Sequence, residues 1–187
     1  MDKKLILIGN KPISKDMSFI DSEFDYILRV NKMCNLGTTG NRIDGVYLGL
    51  YSDFTLVHKG GKHKDLYKTA KDIYMLPLLW NFFFEYKEYM STEQYKAIKF
   101  FDFDAARTSI GACATSTVCI LWNLLNNKEI TDNYEIYLTG IDIEGRDELL
   151  KNGNEWKDSL HANAGEAEER FIKDCINKGL VKYVNCE

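Results

Sequence analysis

Seven short apolar segments recur along the chain with helical patterns between them, and this alternation limits the possible fold more than any other feature. The segments are "KLILIG" (4–9), "DYILRVN" (25–31), "DGVYLGL" (44–50), "DIYMLP" (72–77), "IKFFDF" (98–103), "EIYLTG" (135–140) and "VKYVN" (181–185). Several are continuous aliphatic or aromatic runs without strict apolar–polar alternation, the pattern of strands covered on both faces in a parallel sheet. Of the helical stretches, "STEQYKAI" (91–98) opens with a Ser91 or Thr92 cap and has Glu93 in its first turn. "GACATSTVCILWNLLNNK" (111–128) is small at its start and apolar afterwards. "NAGEAEERFIKDCINKG" (163–179) aligns Ala164, Ala167, Phe171, Ile172, Cys175 and Ile176 on one face and stops at Gly179. This order predicts an α/β, Rossmann-like doubly wound domain over residues 1–187, with a mainly parallel sheet and helices on both faces. "TGNRIDG" (39–45) and "EGRDELLKNGNEWKD" (144–158) read as the long loops.

Composition narrows the function classes. With 45% hydrophobic and 28% charged residues the chain has a globular balance. A formal net charge of -4 argues against a nucleic-acid binder, which needs clustered basic residues; "HKGGKHK" (58–64) reads as a solvated loop. The apolar run after "MDKK" is too short for a signal-peptide core, and Pro77 and Asn81 interrupt "MLPLLWNFFF" (75–84) before it approaches a membrane-spanning length. Five scattered cysteines without a Cys-x-x-Cys pair indicate neither a zinc site nor a disulfide framework. A cytoplasmic protein with reduced thiols is expected, with peripheral membrane contact as its one membrane option.

Four constellations could carry chemistry. Gly9-Asn10 ends the first strand, either presenting backbone N–H groups to a phosphate or simply making a tight turn. Thr108, Ser109, Ile110 and Gly111 read as the start of the small-residue helix, with hydroxyls and open N–H groups for a phosphate; helix–sheet packing explains the small residues equally well. His161 precedes the last helix, where the dipole disfavours the imidazolium and suits a general base, and Asn163 with Glu166 approximates a capping box. Arg29 and Asn31 share one face of the second strand; Asn31, at its carboxyl end, is placed to read a nucleotide or to satisfy a loop.

The order of these motifs resembles the sialyltransferases, which move sialic acid from its cytidine-monophosphate (CMP) donor. Gly9-Asn10, "IDSEFDYILRVN" (20–31) and "GNRID" (40–44) look like their large motif. "SIGACATSTVCILWNLL" (109–125) and "YEIYLTGID" (134–142) look like their small motif, with Ile110 in place of its threonine, and His161 to Glu166 has the spacing of their His-x4-Glu. The resemblance implies an inverting, metal-independent transfer of sialic acid, or a related 2-keto sugar such as Kdo, to a glycan or glycolipid hydroxyl. It implies His161 as base, Glu166 orienting it or capping its helix, and Gly9, Asn10, Asn31 and residues 108–111 around the donor, with no cofactor. Their aromatic–acidic motif before the last histidine is not visible; Tyr51, Tyr134 and Tyr137 are the candidate acids. A chain this short fits a bacterial or viral form.

Two rivals come from other residues. "DFD" (102–104) supplies Asp102 and Asp104, a pair that in diphosphate-sugar transferases holds a divalent metal. Cys113, or less well Cys119, with His161 would make a cysteine hydrolase, and a nucleotide-binding module without catalysis is the third option. Loops 50–70 and 144–160, with Tyr51, Phe54, Tyr67 and Trp156, are expected to choose the acceptor.

Overall fold

The computed structural model describes residues 3–49, 69–78, 91–153 and 157–186. All seven predicted strands form: β1 (Lys3–Ile8), β2 (Tyr26–Val30), β3 (Gly45–Tyr47), β4 (Asp72–Met75), β5 (Lys99–Phe100), β6 (Tyr134–Thr139) and β7 (Lys182–Tyr183). They make one sheet in the order β5-β4-β3-β2-β1-β6-β7, and every pairing is parallel. The continuous apolar runs have the expected cause. In β1, Leu5 and Leu7 enter one core while Ile6 and Ile8 enter another on the opposite face.

The described helices are α1 (Ile20–Glu23), α2 (Thr92–Lys96), α3 (Phe103–Ile110), α4 (Ser116–Leu125), α5 (Lys128–Thr131), α6 (Arg146–Asn152) and α7 (Gly165–Asn177). Ser91 caps α2 in a full capping box with Gln94. The main core lies where β1, β2 and β6 meet α3, α4 and α7, with Leu5, Leu28, Val118, Leu121, Leu138 and Ile172 all at most 1% exposed. Each such side chain is worth roughly 1.5–3 kcal/mol of burial.

Three boundaries differ from the sequence reading, each for a local reason. Asp102 ends the fifth strand early because its Oδ1 accepts from the Ala105 N–H at 2.9 Å and caps α3, a helix over residues expected to be the end of that strand and the start of the small-residue helix. Gly111 is the left-handed C-cap of α3, at φ 80°, so it stops one helix instead of starting the next; α4 begins five residues later. Part of the expected loop 144–158 is helix α6, supported by the Lys151–Asp147 pair at 2.7 Å along one face.

Chain order reverses between β1 and β6. The chain runs outward from β1 through β2, β3, β4 and β5, then returns to the other side of β1 for β6 and β7. In an open parallel sheet the crevice beyond the carboxyl ends of two such strands is where ligands bind.

Candidate active site

Gly9 and Gly140 follow β1 and β6 into that crevice, and their backbones touch. A Cβ built on Gly9 would stand 2.3 Å from the Gly140 oxygen, and one on Gly140 would stand 2.8 Å from the Gly9 oxygen. The Gly9 N–H donates to the Thr139 oxygen and the Lys11 N–H to the Gly140 oxygen, both at 2.9 Å. The Gly-Asn turn is therefore a close backbone packing of the two central strand ends. The third wall is the start of α4: Thr117 Cγ2 would lie 3.4 Å from the same Gly9 Cβ.

Asn10 and Asn31 come together across the ends of β1 and β2. The Asn10 Nδ2 donates to Asn31 Oδ1 at 2.8 Å, and Asn31 is only 7% exposed. The Asn10 Oδ1 is buried without a hydrogen-bond partner among the described residues. A buried acceptor of this kind costs about 1–3 kcal/mol unless a donor reaches it.

Asn35 was not singled out by the sequence reading. It is 2% exposed; its Nδ2 donates to the Gly9 oxygen at 3.0 Å and the Lys11 oxygen at 2.8 Å, while its Oδ1 accepts from the Ile13 N–H at 3.0 Å. One side chain thus fixes the whole turn after β1. Arg29 has a different task from a ligand contact. Fully buried, it donates to Thr39 Oγ1 and to the carbonyls of Thr39, Gly40 and Arg42, and burial pushes its guanidinium down to about 10. Of the two open readings of that strand face, Arg29 satisfies the loop.

His161 lies beside the segment that leads into α4. Its Nδ1 lies 2.6 Å from the Cys113 carbonyl oxygen, two residues before the α4 N-cap Thr115. A carbonyl only accepts, so Nδ1 carries the proton, and in the neutral ring Nε2 holds the lone pair. Glu166 stands exposed in the first turn of α7. The N-cap there is Ala164, with no side-chain capping bond, so the expected Asn163–Glu166 box does not form.

Residues 108–111 lie elsewhere than expected. Thr108, Ser109 and Ile110 form the last turn of α3, whose end bears carbonyls and negative partial charge, the wrong sign for a phosphate. The Ile110 side chain belongs to the core. The helix N-terminus at the crevice belongs instead to α4, at Ser116 and Thr117. The buried residues that hold it are Glu168, 0% exposed, and Arg146, 5% exposed. Glu168 accepts from the Thr115 N–H and from Arg146 Nε; Arg146 also donates to Thr115 Oγ1 at 2.8 Å and to the Asp142 oxygen at 3.2 Å. Asp142 in turn pairs with Lys11 at 2.8 Å. A sequence signal for Glu168 existed: it is in helical register with the buried Ile172 and Cys175.

The rival residues are placed apart or occupied. Asp102 caps α3 after the edge strand β5, four strand positions from β1, or about 19 Å at the usual spacing of about 4.8 Å. Cys113 lies in the α3–α4 connection, and the contact with His161 runs through its carbonyl. Cys119 is buried in the core and its thiol is pushed up to about 12 by that burial. Among the described residues no group of three His, Cys, Asp or Glu side chains is arranged to hold a metal ion. Tyr51, Phe54, Tyr67 and Trp156, and "HKGGKHK", lie outside the described residues.

No family model matches the chain, and no curated protein matches it. Solved structures do. The sialyltransferase CstII from Campylobacter jejuni in complex with the substrate analogue CMP-3FNeuAc aligns with a TM-score of 0.53 at 17% identity, covering 98% of this chain and 81% of that one. A tyrosine-to-phenylalanine variant of sialyltransferase Cst-II in complex with CMP aligns with a TM-score of 0.57 at the same identity and coverage. The chain has the fold of these sialyltransferases, an α/β Rossmann-like fold with an all-parallel sheet in the described residues. No helix among the described residues is long and apolar enough to cross a membrane.

Proposed function

We propose that the protein is a sialyltransferase-type glycosyltransferase, moving sialic acid or a related 2-keto sugar from its CMP donor to a glycan hydroxyl with inversion. The observation that carries this is that Gly9 packs on Gly140 and against Thr117 at the start of α4, while His161 bonds the carbonyl of Cys113, two residues before that helix's N-cap. The two structural neighbours, crystallised with CMP or a CMP-sugar analogue, support the choice of nucleotide.

In this reading the α4 N–H groups and the turn at Gly9 face the donor phosphate. Asn10 and Asn31 hold the nucleoside, with the buried Asn10 Oδ1 accepting from a ribose hydroxyl or the base amino group. His161 Nε2 removes the acceptor hydroxyl proton as that oxygen bonds to the anomeric carbon. The bond from this carbon to the phosphate oxygen breaks, and its electron pair leaves with CMP. The developing negative charge is met by the fixed N–H donors. Glu166 adds negative potential near the imidazolium that forms. Residues 108–111 keep at most a peripheral place, through the exposed Thr108 and Ser109 hydroxyls. The chemistry asks for no metal, since a monophosphate leaves against fixed donors.

A thermal-shift panel of cytidine, uridine and guanosine nucleotides, with magnesium or a chelator, tests this. CMP at a hundred times its dissociation constant is expected to stabilise by about 2.7 kcal/mol. Stabilisation by uridine diphosphate only with magnesium, and none by CMP, would reverse the reading in favour of a metal-dependent transferase.

A further inference from the structure

The buried pair Arg146–Glu168 is more elaborate than core packing requires. Burying two charges is costly, and an apolar pair of similar volume is often as stable or more so. Here the two side chains bind one point of the fold from three directions: the Thr115 N–H, the Thr115 hydroxyl and the Asp142 carbonyl. Thr115 is the N-cap of α4, yet its side chain makes no capping bond to its own helix, because that hydroxyl accepts from Arg146. Asp142 follows Gly140 out of β6 and pairs with Lys11 from the β1 turn. Glu168 comes from the first turn of α7, the helix that begins just after His161. The pair therefore joins the α4 N-terminus, the β6 exit and the segment carrying the histidine.

We propose that Arg146 and Glu168 are positioning residues for donor binding, fixing where the α4 N-terminus stands against Gly9 and Asn10. This rests on the CMP-donor reading above. Stability and binding should then respond to different properties of the pair. Stability follows the charge balance in the interior; donor affinity follows the bonds to Thr115 and Asp142.

Three variants separate the two, each measured for thermal midpoint and for CMP affinity by calorimetry. Glu168→Gln keeps an oxygen for the Thr115 N–H but leaves Arg146 without a counter-charge; it is expected to melt lower than wild type. Glu168→Leu with Arg146→Met restores an uncharged interior and removes every bond; it is expected to melt near wild type and lose CMP affinity at least tenfold. Arg146→Lys keeps the ion pair but has one nitrogen for three acceptors; it is expected to fold and lose affinity at least fivefold, which serves if the double variant does not fold. Wild-type CMP affinity in either of the last two, as a folded protein, would overturn the inference. Wild-type protein that binds no CMP overturns the donor reading, and this inference with it.

Discussion

The His161 ring is anchored by the Cys113 main chain, with Nδ1 and the carbonyl oxygen 2.6 Å apart. The bond fixes a tautomer through a group that no substitution at Cys113 removes. It ties the imidazole to the residues that lead into α4, the helix whose Thr117 stands against Gly9, so the histidine and the turn after β1 are held by the same helix.

Replacing His161 with Ala should therefore remove turnover and spare the donor site. Loss of a general base costs about 10²–10⁴ in rate, and CMP affinity is expected to stay within about threefold on the same principle that the base acts only in the chemical step. Single-turnover rates and CMP calorimetry check this. A parallel fall in both would make the residue structural.

Cys113→Ala is expected to leave turnover intact, because its contribution is a carbonyl oxygen. Alkylation of the remaining thiols should also be tolerated: Cys119 is held in the core with its thiol pushed up to about 12 by burial, where little thiolate exists near neutrality. Turnover lost in Cys113→Ala, assayed after confirming its fold by circular dichroism, would revive the cysteine-hydrolase reading.

At Gly9, a single methyl group should be destructive. The Cβ of Gly9→Ala would meet a backbone oxygen at 2.3 Å, and that oxygen belongs to a glycine packed on Gly9 in return. The central strands must separate at their carboxyl ends, at a cost of about 1–3 kcal/mol or more. Urea denaturation reads the stability, and CMP binding is expected to weaken with it, since Thr117 at the start of α4 lies 3.4 Å from where that methyl would stand.

The strands were legible because burial on both faces writes itself as unbroken apolar runs, as in Leu5 to Ile8. The positions of Gly9, Asn10 and Asn31 after strand ends, and of His161 ahead of the last helix, were legible because the apolar runs stop or start there. The misplaced helix start turns on one residue: Gly111 is a helix stop, and taking it as a start moved the beginning of the small-residue helix from Ser116 back to Thr108. Asn35 and Arg146 were invisible for another reason. Asn35 binds main-chain atoms such as the Gly9 oxygen, 26 positions away, and Arg146 binds the Glu168 and Thr115 side chains, 22 and 31 positions away; no local pattern encodes such partners. Glu168 was the exception, an acid in the apolar register of α7.

Asn35→Asp tests how much the β1 turn depends on one amide. The substitution keeps the oxygen for the Ile13 N–H and turns the donor to the Gly9 and Lys11 carbonyls into a second acceptor. Leaving those buried groups unpaired costs about 1–3 kcal/mol each. CMP affinity is expected to drop more than tenfold, and a wild-type affinity in the folded variant would show that the turn is held by its backbone bonds alone.

Acid should unfold the protein partly through Asp44, 1% exposed at the amino end of β3. Burial alone would raise its carboxyl, but the Lys71 and Arg42 side chains and the Ile27 N–H together hold it below the ordinary value of 3.8. A group whose folded pKa is depressed contributes its full stability above the unfolded pKa, and that contribution disappears as the pH falls through the folded value. Urea midpoints are therefore expected to be level with respect to this group above about pH 5 and to fall below about pH 4. Asp44→Asn should start lower at neutral pH, having lost the two cation contacts, and should show a shallower decline below about pH 4. Parallel acid limbs in the two proteins would assign the acid sensitivity to other carboxylates.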